Sequence, residues 1–278
     1  MPTSAPSPTP VQREDFSLPF DGYELQVRRL TPPGAPAQPQ LVLLHDSLGC
    51  ITLWRDFPEL LAQATGLTVL AYDRRGYGQS APFGPEPRTK RYLEEEAANV
   101  NRVLAACGIA RAVLLGHSDG GTLALLAAAL EPARTAAIIT IGAHVFVEDV
   151  TLAGIRAAQE QYRTTDLPAR LARYHGPKTE AVFRAWADTW LQPEFRSWNV
   201  ESYLPRVTCP VLVLQGTEDE YGTAAQVTAI ASGVAGTATA HLLPGLGHSP
   251  QRQAPAAVVT LAAEFVAAGL GNSSRLGR

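Results

Sequence analysis

The sequence predicts an α/β fold in which a mostly parallel central sheet carries helices on both faces. Between residues 41 and 141, short apolar runs alternate with helical patterns in the order strand, helix, strand, helix, strand, helix, strand. The chain has 278 residues, of which 46% are hydrophobic and 18% charged. That length and composition are sufficient for one large domain with a sizeable buried core.

The predicted elements begin with two short strands within residues 16–30, separated by a turn that contains Pro19, Asp21 and Gly22. Apolar runs predict the remaining strands at residues 41–44, 68–72, 112–115, 136–141, 210–214 and 238–243. Apolar residues at helical spacing predict helices at residues 53–64, 92–107, 119–130, 223–232 and 255–268.

Residues of special backbone preference mark several boundaries. Glu94 and Glu95 lie in the first turn of the helix at 92–107, where the helix dipole favours acidic side chains, and Gly108 ends that helix. Pro132 follows the helix at 119–130, and Gly142 closes the strand at 136–141. These signals agree with the periodicity.

The alternation of strands and helices stops between residues 144 and 206, where only short helical patterns occur. This segment holds three of the four tryptophans. Phe183, Trp186 and Trp190 are spaced i, i+3, i+7 and therefore share one helical face. One interpretation is an apolar roof over a substrate pocket. The other is that these rings hold the segment on the main domain.

Composition narrows the partners and the setting. A net charge of −3 argues against nucleic acid or an anionic membrane as the main partner, and no apolar run approaches a membrane span. Three scattered cysteines, Cys50, Cys107 and Cys209, imply neither a disulfide framework nor a metal site. Cys50 is either a reactive thiol or a small buried apolar residue. We expect a cytoplasmic protein with a disordered lead at 1–15 and a frayed tail at 271–278.

The turn after the strand at 112–115 contains Gly-x-Ser-x-Gly, with Ser118 at its centre. Gly116 and Gly120 allow the strand and the following helix to approach closely. Such a turn holds the serine on a strained corner with its hydroxyl exposed to whatever it attacks. The position between a strand pattern and a helix pattern makes this short motif more specific.

Four other strand ends carry polar motifs. Residues 45–49 read His-Asp-Ser-Leu-Gly, and residues 73–80 read Asp-Arg-Arg-Gly-Tyr-Gly-Gln-Ser. The second lacks the third glycine and the lysine of a phosphate loop, so we expect Asp73 to be structural. Residues 216–219 read Gly-Thr-Glu-Asp, and residues 244–250 form a loop that contains Gly247-His248.

Together these motifs resemble the α/β-hydrolase superfamily, over about residues 16–268. The resemblance implies a nucleophile at Ser118, an acid at Asp219 and a base at His248, in that chain order. Glu218 and Glu220 are the neighbouring alternatives for the acid, and His241 is the weaker candidate for the base. The oxyanion hole would be formed by the backbone N–H groups of Asp119 and Ser47. Asp46 stands where the family usually has glycine, and a simple helix-capping turn is the alternative there.

The resemblance further implies an α/β-hydrolase core at 16–143 and 207–270, with a helical cap at 144–206 inserted after strand 6. Candidate substrate-binding residues are His45, His144, Trp186 and Trp190. We expect a serine hydrolase that cleaves an ester or related acyl bond of a small, partly apolar molecule. The same triad also serves C–C bond hydrolases, lactonases and acyltransferases, and some non-catalytic binding proteins share the fold. No metal or organic cofactor is required, and the oligomeric state is not indicated.

Overall fold

The structure, a computed structural model, describes residues 10–273. Within them, eight strands form one sheet in the order β1-β2-β4-β3-β5-β6-β7-β8. Their bounds are β1 Gln12–Phe20, β2 Tyr23–Thr31, β3 Gln40–Leu44, β4 Val69–Tyr72, β5 Ala112–His117, β6 Thr135–Ile141, β7 Val211–Gly216 and β8 Ala238–Leu243. Strand β2 is antiparallel to both of its neighbours, and β3 to β8 are parallel to one another.

Nine α-helices connect or flank these strands in the described residues. They are α1 Phe57–Thr65, α2 Tyr92–Ala106, α3 Asp119–Leu130, α4 Asp149–Thr164, α5 Leu167–His175, α6 Thr179–Trp190, α7 Ala224–Gly233, α8 Pro250–Gln253 and α9 Pro255–Ser273. None of the helices within residues 10–273 combines the length and the apolar character needed to span a lipid bilayer.

Strands β3 to β7 are almost entirely buried, since successive side chains point to opposite sides of the sheet and helices cover both sides. The side chains of the edge strand β8 are partly or fully exposed. In β3, Val42 and Leu44 belong to one apolar cluster, which includes residues of α2, α3 and α7. Leu41 and Leu43 belong to a second cluster, which includes residues of α1 and α9. The predicted α/β-hydrolase fold is therefore confirmed, with a mostly parallel sheet and helices on both faces.

Two predicted boundaries were wrong. The lead was expected to be disordered through residue 15, but β1 begins at Gln12 and pairs with β2 from Gln12↔Thr31 onward. Asp15 and Arg28 form an ion pair across that hairpin, with 2.7 Å between Oδ1 and Nε. The tail was expected to fray from residue 271, yet α9 continues to Ser273. The rest of both expectations, at residues 1–9 and 274–278, lies outside the described residues.

The segment at 144–206, which we call the inserted segment, holds α4, α5 and α6 together with short 3₁₀ turns. It leaves the sheet after β6 and returns at β7, which is the neighbouring strand. Its two ends are joined by a bridge between Phe146 and Asn199 and by a 2.8 Å hydrogen bond from the Val200 N–H to the Val145 carbonyl. This geometry places the segment at the carboxyl edge of the parallel strands.

Candidate active site

Ser118 lies on the sharp turn between β5 and α3, with φ 55° and ψ −123°. A positive φ is costly for a residue with a side chain, so the surrounding structure must hold it there. Glycine is required on both sides, because a Cβ at Gly116 would collide with the Gly120 backbone and one at Gly120 with the Leu44 carbonyl. The predicted strand–turn–helix context is present.

His248 and Asp219 are in direct contact at the edge of the same sheet. Nδ1 of His248 lies 2.9 Å and 3.0 Å from the two carboxylate oxygens of Asp219. A carboxylate only accepts hydrogen bonds, so Nδ1 carries the proton and Nε2 is the unprotonated nitrogen. Among the neighbouring acids, Glu220 instead accepts a 3.0 Å hydrogen bond from the His248 backbone N–H.

The contact between His248 and Asp219 shifts both pKa values so that the charged forms, imidazolium and carboxylate, are favoured. Burial alone lowers the pKa of His248, but the hydrogen bond and charge of Asp219 outweigh it and raise the pKa above its ordinary value. Burial alone raises the pKa of Asp219, but His248 outweighs it and the pKa is lowered. The Asp219 side chain also accepts a 2.9 Å hydrogen bond from the Tyr221 N–H, which fixes the carboxylate.

Ser118 and His248 both line one cavity, which has a volume of about 80 Å³. Its lining combines polar groups of the core with apolar and aromatic side chains, many from the inserted segment: Asp46, Ser47, Leu48, Ser118, Asp119, His144, Thr151, Ile155, Trp186, Trp190, Tyr221 and His248. Asp219 supports this cavity from behind His248. The three predicted triad residues therefore meet at one site.

Among the predicted substrate-binding residues, His144, Trp186 and Trp190 line the cavity. Nε2 of His144 donates a 3.0 Å hydrogen bond to the Tyr221 carbonyl, while its buried Nδ1 has no hydrogen-bond partner within residues 10–273. Phe183 shares the helical face of the two tryptophans but stacks on Tyr162 at 3.9 Å and serves packing. Two rings of this face therefore line the cavity, and the third packs within the inserted segment.

The prediction for His45 was wrong. Its side chain does not line the Ser118 cavity but is buried behind the loop that carries Ser47. Nδ1 lies 2.7 Å from the Asp46 carbonyl, and Nε2 accepts a 3.1 Å hydrogen bond from the Arg74 N–H. Because both ring nitrogens are bonded to backbone groups, neither is available to a substrate.

The two predicted oxyanion donors belong to residues on facing sides of the cavity. Ser47 follows β3, and Asp119 begins α3. The Ser47 hydroxyl donates a short hydrogen bond to the Asp119 carboxylate, which also accepts one of 3.0 Å from the Tyr92 hydroxyl. Within residues 10–273, neither backbone N–H donates to another backbone carbonyl outside the helices and strands. The side-chain bond thus ties the two donor loops together.

Sequence reasoning missed Tyr92 and Tyr221. The Tyr92 hydroxyl accepts a 2.8 Å hydrogen bond from Trp190 Nε1 and so links the inserted segment to Asp119. The Tyr221 ring packs against the His248 ring, with centroids 4.8 Å apart and an angle of 57° between the ring planes. Tyr221 lies two residues after Asp219, and that proximity was the only sequence signal; Tyr92 is 27 residues from its partner and gave none.

Two other predictions concern residues outside the cavity. Cys50 is buried, and burial raises the pKa of its thiol to about 12, as expected for a packing residue and not for a reactive thiol. Asp73 accepts backbone hydrogen bonds from Ile51 and Gln79, consistent with a structural role. Within residues 10–273, no cluster of three or more His, Cys, Asp or Glu side chains has the arrangement of metal ligands.

Comparison with known proteins agrees with this fold. The sequence model of the alpha/beta hydrolase family matches residues 41–261. The chain therefore belongs to the alpha/beta hydrolase family.

Individual relatives are more distant. The serine hydrolase BPHL of Homo sapiens is 32% identical over 157 residues, 55% of this chain and 53% of that protein. The mouse protein of the same name is likewise covered over 53% of its length, so the chain spans about half of these relatives. The putative carbamate hydrolase RutD of Variovorax paradoxus is 28% identical over 236 residues, 77% of this chain and 86% of that protein.

Among solved structures, 2-hydroxy-6-oxo-6-phenylhexa-2,4-dienoate hydrolase from Rhodococcus sp. strain RHA1 superposes with a TM-score of 0.77. The match covers 92% of this chain and 99% of that one at 17% sequence identity. Such low identity supports the fold alone.

Proposed function

We propose that the protein is a serine hydrolase that cleaves an ester or related acyl bond of a small, partly apolar substrate. The observation behind the proposal is the shared cavity of Ser118 and His248, with Nδ1 of His248 held 2.9 Å from Asp219. A serine hydroxyl is a weak nucleophile at neutral pH and needs a base within reach. Nε2 of His248 is the unprotonated nitrogen that can serve as that base.

In the proposed reaction, His248 Nε2 takes the proton of the Ser118 hydroxyl as Oγ attacks the carbonyl carbon. The tetrahedral intermediate then collapses, and His248 returns the proton to the leaving alcohol. Water enters next and gives a proton to His248 while it attacks the acyl-enzyme, which releases the acid and restores Ser118. Asp219 holds the required tautomer and stabilises the imidazolium in both halves.

The oxygen of the tetrahedral intermediate becomes negatively charged and needs hydrogen-bond donors. We assign the N–H groups of Ser47 and Asp119 to it, because both residues line the cavity beside Ser118. Asp119 is also the first residue of the 12-residue helix α3, so the positive end of the helix dipole stabilises the same negative charge on the oxygen. Each such donor contributes about 3 kcal/mol in comparable sites.

The lining of the cavity favours small, uncharged acyl groups. Its volume of about 80 Å³ is far below that of pockets for drug-sized ligands. Ile155, Trp186 and Trp190 supply apolar surface, whereas Asp46 and Asp119 are the acidic residues of the lining, which contains no lysine or arginine from the described chain. A substrate that carries a carboxylate, such as the dienoate named for the Rhodococcus structure, would find acidic residues and no lysine or arginine among these lining residues. This favours ester hydrolysis over C–C bond hydrolysis of such acids.

We further propose a reducing, cytoplasmic setting for this reaction. The three cysteines, Cys50, Cys107 and Cys209, are all free thiols, which supports this setting.

The test is hydrolysis of p-nitrophenyl esters of increasing acyl length by the wild-type protein and Ser118→Ala. We expect the highest kcat/KM for short acyl chains and a loss of at least about 10⁴-fold in kcat for the variant. Ser232→Ala is the matched control, because Ser232 is exposed on α7 and should change nothing. A fluorophosphonate should label wild type and the control but not Ser118→Ala.

The alternatives give different outcomes. If Ser118→Ala keeps wild-type activity, the proposed nucleophile is wrong. If the wild type hydrolyses no ester but its Ser118 is labelled, the serine is activated for another bond. Absence of both activity and label would favour a non-catalytic binding protein of this fold.

A further inference from the structure

We propose that Arg74, acting through His45, is a positioning residue that aims the Ser47 N–H at the substrate oxyanion. The inference rests on the proposed function and identifies what holds one donor of its oxyanion hole. The element concerned is the peptide unit between Asp46 and Ser47. Its carbonyl faces Arg74 and His45, and Ser47 itself lines the cavity beside Ser118.

Arg74 is a fully buried guanidinium, 1% exposed. Its Nη2 donates hydrogen bonds of 3.0 Å to the Asp46 carbonyl and 3.3 Å to the His45 carbonyl. Its own backbone N–H donates to His45 Nε2 at 3.1 Å. Arg74 therefore contacts the loop at three points along two consecutive residues.

The third contact fixes the protonation state of His45. Since Nε2 accepts a hydrogen bond from the Arg74 N–H, the proton of the neutral ring is on Nδ1. Nδ1 then donates to the Asp46 carbonyl at 2.7 Å. Burial, and next the charge of Arg74, lower the pKa of His45 well below its ordinary value, so the ring remains a single-proton donor. The Asp46 carbonyl accepts a further hydrogen bond of 3.2 Å from the Gly49 N–H.

Fixing this carbonyl fixes the opposite side of the peptide. The Asp46–Ser47 bond is trans, because the cis bond of the described chain is Gln38–Pro39. In a planar trans peptide the N–H points away from the C=O, so donors that hold the Asp46 oxygen on one side direct the Ser47 N–H to the other. The buried positive charge of Arg74, which lies beside the Asp46 carbonyl, also polarises the peptide and strengthens the Ser47 N–H as a donor. The short bond from the Ser47 hydroxyl to Asp119 holds the same residue from the cavity side.

Among the residues that the structure describes, none forms an ion pair with Arg74 that would explain its burial. Within residues 10–273, no carboxylate lies within 4.0 Å of its guanidinium nitrogens, and its Nε and Nη1 have no hydrogen-bond acceptor. Its guanidinium instead packs over the Tyr77 ring at 4.7 Å. A buried, unpaired charge is expensive. Its polar contacts with His45 and Asp46 are the interactions that distinguish this site.

The test compares a p-nitrophenyl ester with the matching thionoester, in which sulfur replaces the carbonyl oxygen. Sulfur is a weak hydrogen-bond acceptor, so the preference for the oxygen ester reports how well the oxyanion donors are placed. For Arg74→Met we expect kcat on the oxygen ester to fall about 10- to 100-fold, with KM changed less than about threefold. The ratio of kcat/KM for the oxygen ester to that for the thionoester should fall as well. Arg75→Met is the matched control and should keep the wild-type ratio, because Arg75 contacts Pro82 and Tyr23.

The outcomes separate the inference from the proposed function. A folded Arg74→Met with wild-type kcat, or with equal losses on both esters, overturns the positioning role. If Arg74→Met does not fold, the variants His45→Leu and His45→Asn test the inference instead. His45→Leu should lower the ratio of kcat/KM for the oxygen ester to that for the thionoester. His45→Asn should restore part of this ratio, because its amide can donate to the Asp46 carbonyl. Equal ratios in both variants overturn the inference. A wild type with neither ester hydrolysis nor fluorophosphonate labelling overturns the proposed function first.

Discussion

Two buried aspartates, Asp73 and Asp219, follow strands of the same parallel sheet, yet their surroundings differ in kind. Asp73 accepts hydrogen bonds from two backbone N–H groups, those of Ile51 at 2.6 Å and Gln79 at 2.8 Å. Asp219 accepts one from the Tyr221 N–H at 2.9 Å and one from the imidazole of His248 at 2.9 Å. The first carboxylate holds a loop, whereas the second holds a side chain that can change its charge.

The pKa values follow this difference. Burial raises the pKa of Asp73, and its backbone hydrogen bonds do not fully compensate. Burial also raises the pKa of Asp219, but the hydrogen bond and the charge of His248 outweigh it, so the net pKa is lowered. A strand-end aspartate in a sequence therefore does not reveal its role. The nature of the group that it contacts decides whether it serves structure or chemistry.

The largest expected effect comes from Asp219→Asn. An amide that donates its NH2 to Nδ1 leaves the ring proton on Nε2, and a neutral amide no longer stabilises the imidazolium, so His248 loses both features that the proposed mechanism needs. We expect kcat for p-nitrophenyl ester hydrolysis to fall about 10⁴-fold, as in comparable triads. Glu218→Gln is the control, since Glu218 is exposed and should leave kcat unchanged. A loss in the Glu218 variant with none in the Asp219 variant would exchange their roles.

Asp73→Ala should show the opposite pattern. Removal of its carboxylate leaves the N–H groups of Ile51 and Gln79 without acceptors in a buried loop. We expect the free energy of unfolding to fall by about 2–4 kcal/mol, with kcat lowered no more than about tenfold. Urea unfolding monitored by circular dichroism measures the first quantity, and kcat per folded molecule the second. An Asp73 variant that kept its stability but lost activity like Asp219→Asn would remove the distinction between the two sites.

Each aspartate also has a glycine packed against it, and both glycines have positive φ. A Cβ at Gly78, φ 45°, would collide with the Asp73 carboxylate. At Gly142, φ 58°, it would lie 3.0 Å from His248 Nδ1 and 3.3 Å from Asp219 Oδ2.

In Gly78→Ala and Gly142→Ala, the added methyl group therefore pushes against Asp73 and against the pair of Asp219 and His248, respectively. Both variants share a φ penalty of about 1–2 kcal/mol. Gly66→Ala measures that penalty alone, because its φ is 67° and no atom lies within 4 Å of the added Cβ. Beyond it, we expect Gly78→Ala to lose stability and Gly142→Ala to lose about tenfold in kcat. If Gly78→Ala is as stable as Gly66→Ala, Asp73 is not tightly packed, and an unchanged kcat in Gly142→Ala would show the same for the pair of Asp219 and His248.

The sequence was sufficient for the parts of the fold that depend on apolar periodicity. The strand at 136–141 was predicted to within one residue, because a buried parallel strand is a continuous apolar run. The first four residues of β1 were missed because their side chains are exposed. Their pairing with β2 relies on backbone hydrogen bonds and on ion pairs such as Asp15–Arg28, which leave no apolar alternation to recognise.

The candidate site was predictable as far as short motifs reach. Gly-x-Ser-x-Gly and the loops of Asp219 and His248 each follow a strand, so parallel topology alone brings them to one edge. The environment of His45 could not be predicted, since Arg74, which it contacts, is 29 residues away and belongs to another loop. The link from Trp190 through Tyr92 to Asp119 depends on how the inserted segment packs, and no local pattern records it.

The smallest effect expected is a shift in pH dependence, and it sharpens the comparison of the two aspartates. His248 must be neutral to act as a base, and Asp219 raises the pKa of its imidazole. The kcat/KM of the wild type should therefore rise with pH through a midpoint above about 6.5, the ordinary value for histidine. Asp219→Asn should lower that midpoint, and Asp73→Ala should leave it in place. Profiles between pH 5 and pH 9 measure it, and a common midpoint in all three proteins would contradict the assignment.

The pKa shifts of His248 and Asp219 also determine how the free energy of unfolding depends on pH. His248 has a raised pKa when folded, so its contribution is fully present below the unfolded value and is lost as pH rises through the folded pKa. Asp219 has a lowered pKa, so its contribution is present above its unfolded value, ordinarily 3.8, and is lost as pH falls through the folded pKa. The difference in unfolding free energy between wild type and Asp219→Asn should therefore be largest between these limits and shrink as pH rises above the pKa of His248. If that difference grew toward alkaline pH instead, the carboxylate would be stabilising the fold through some group other than His248.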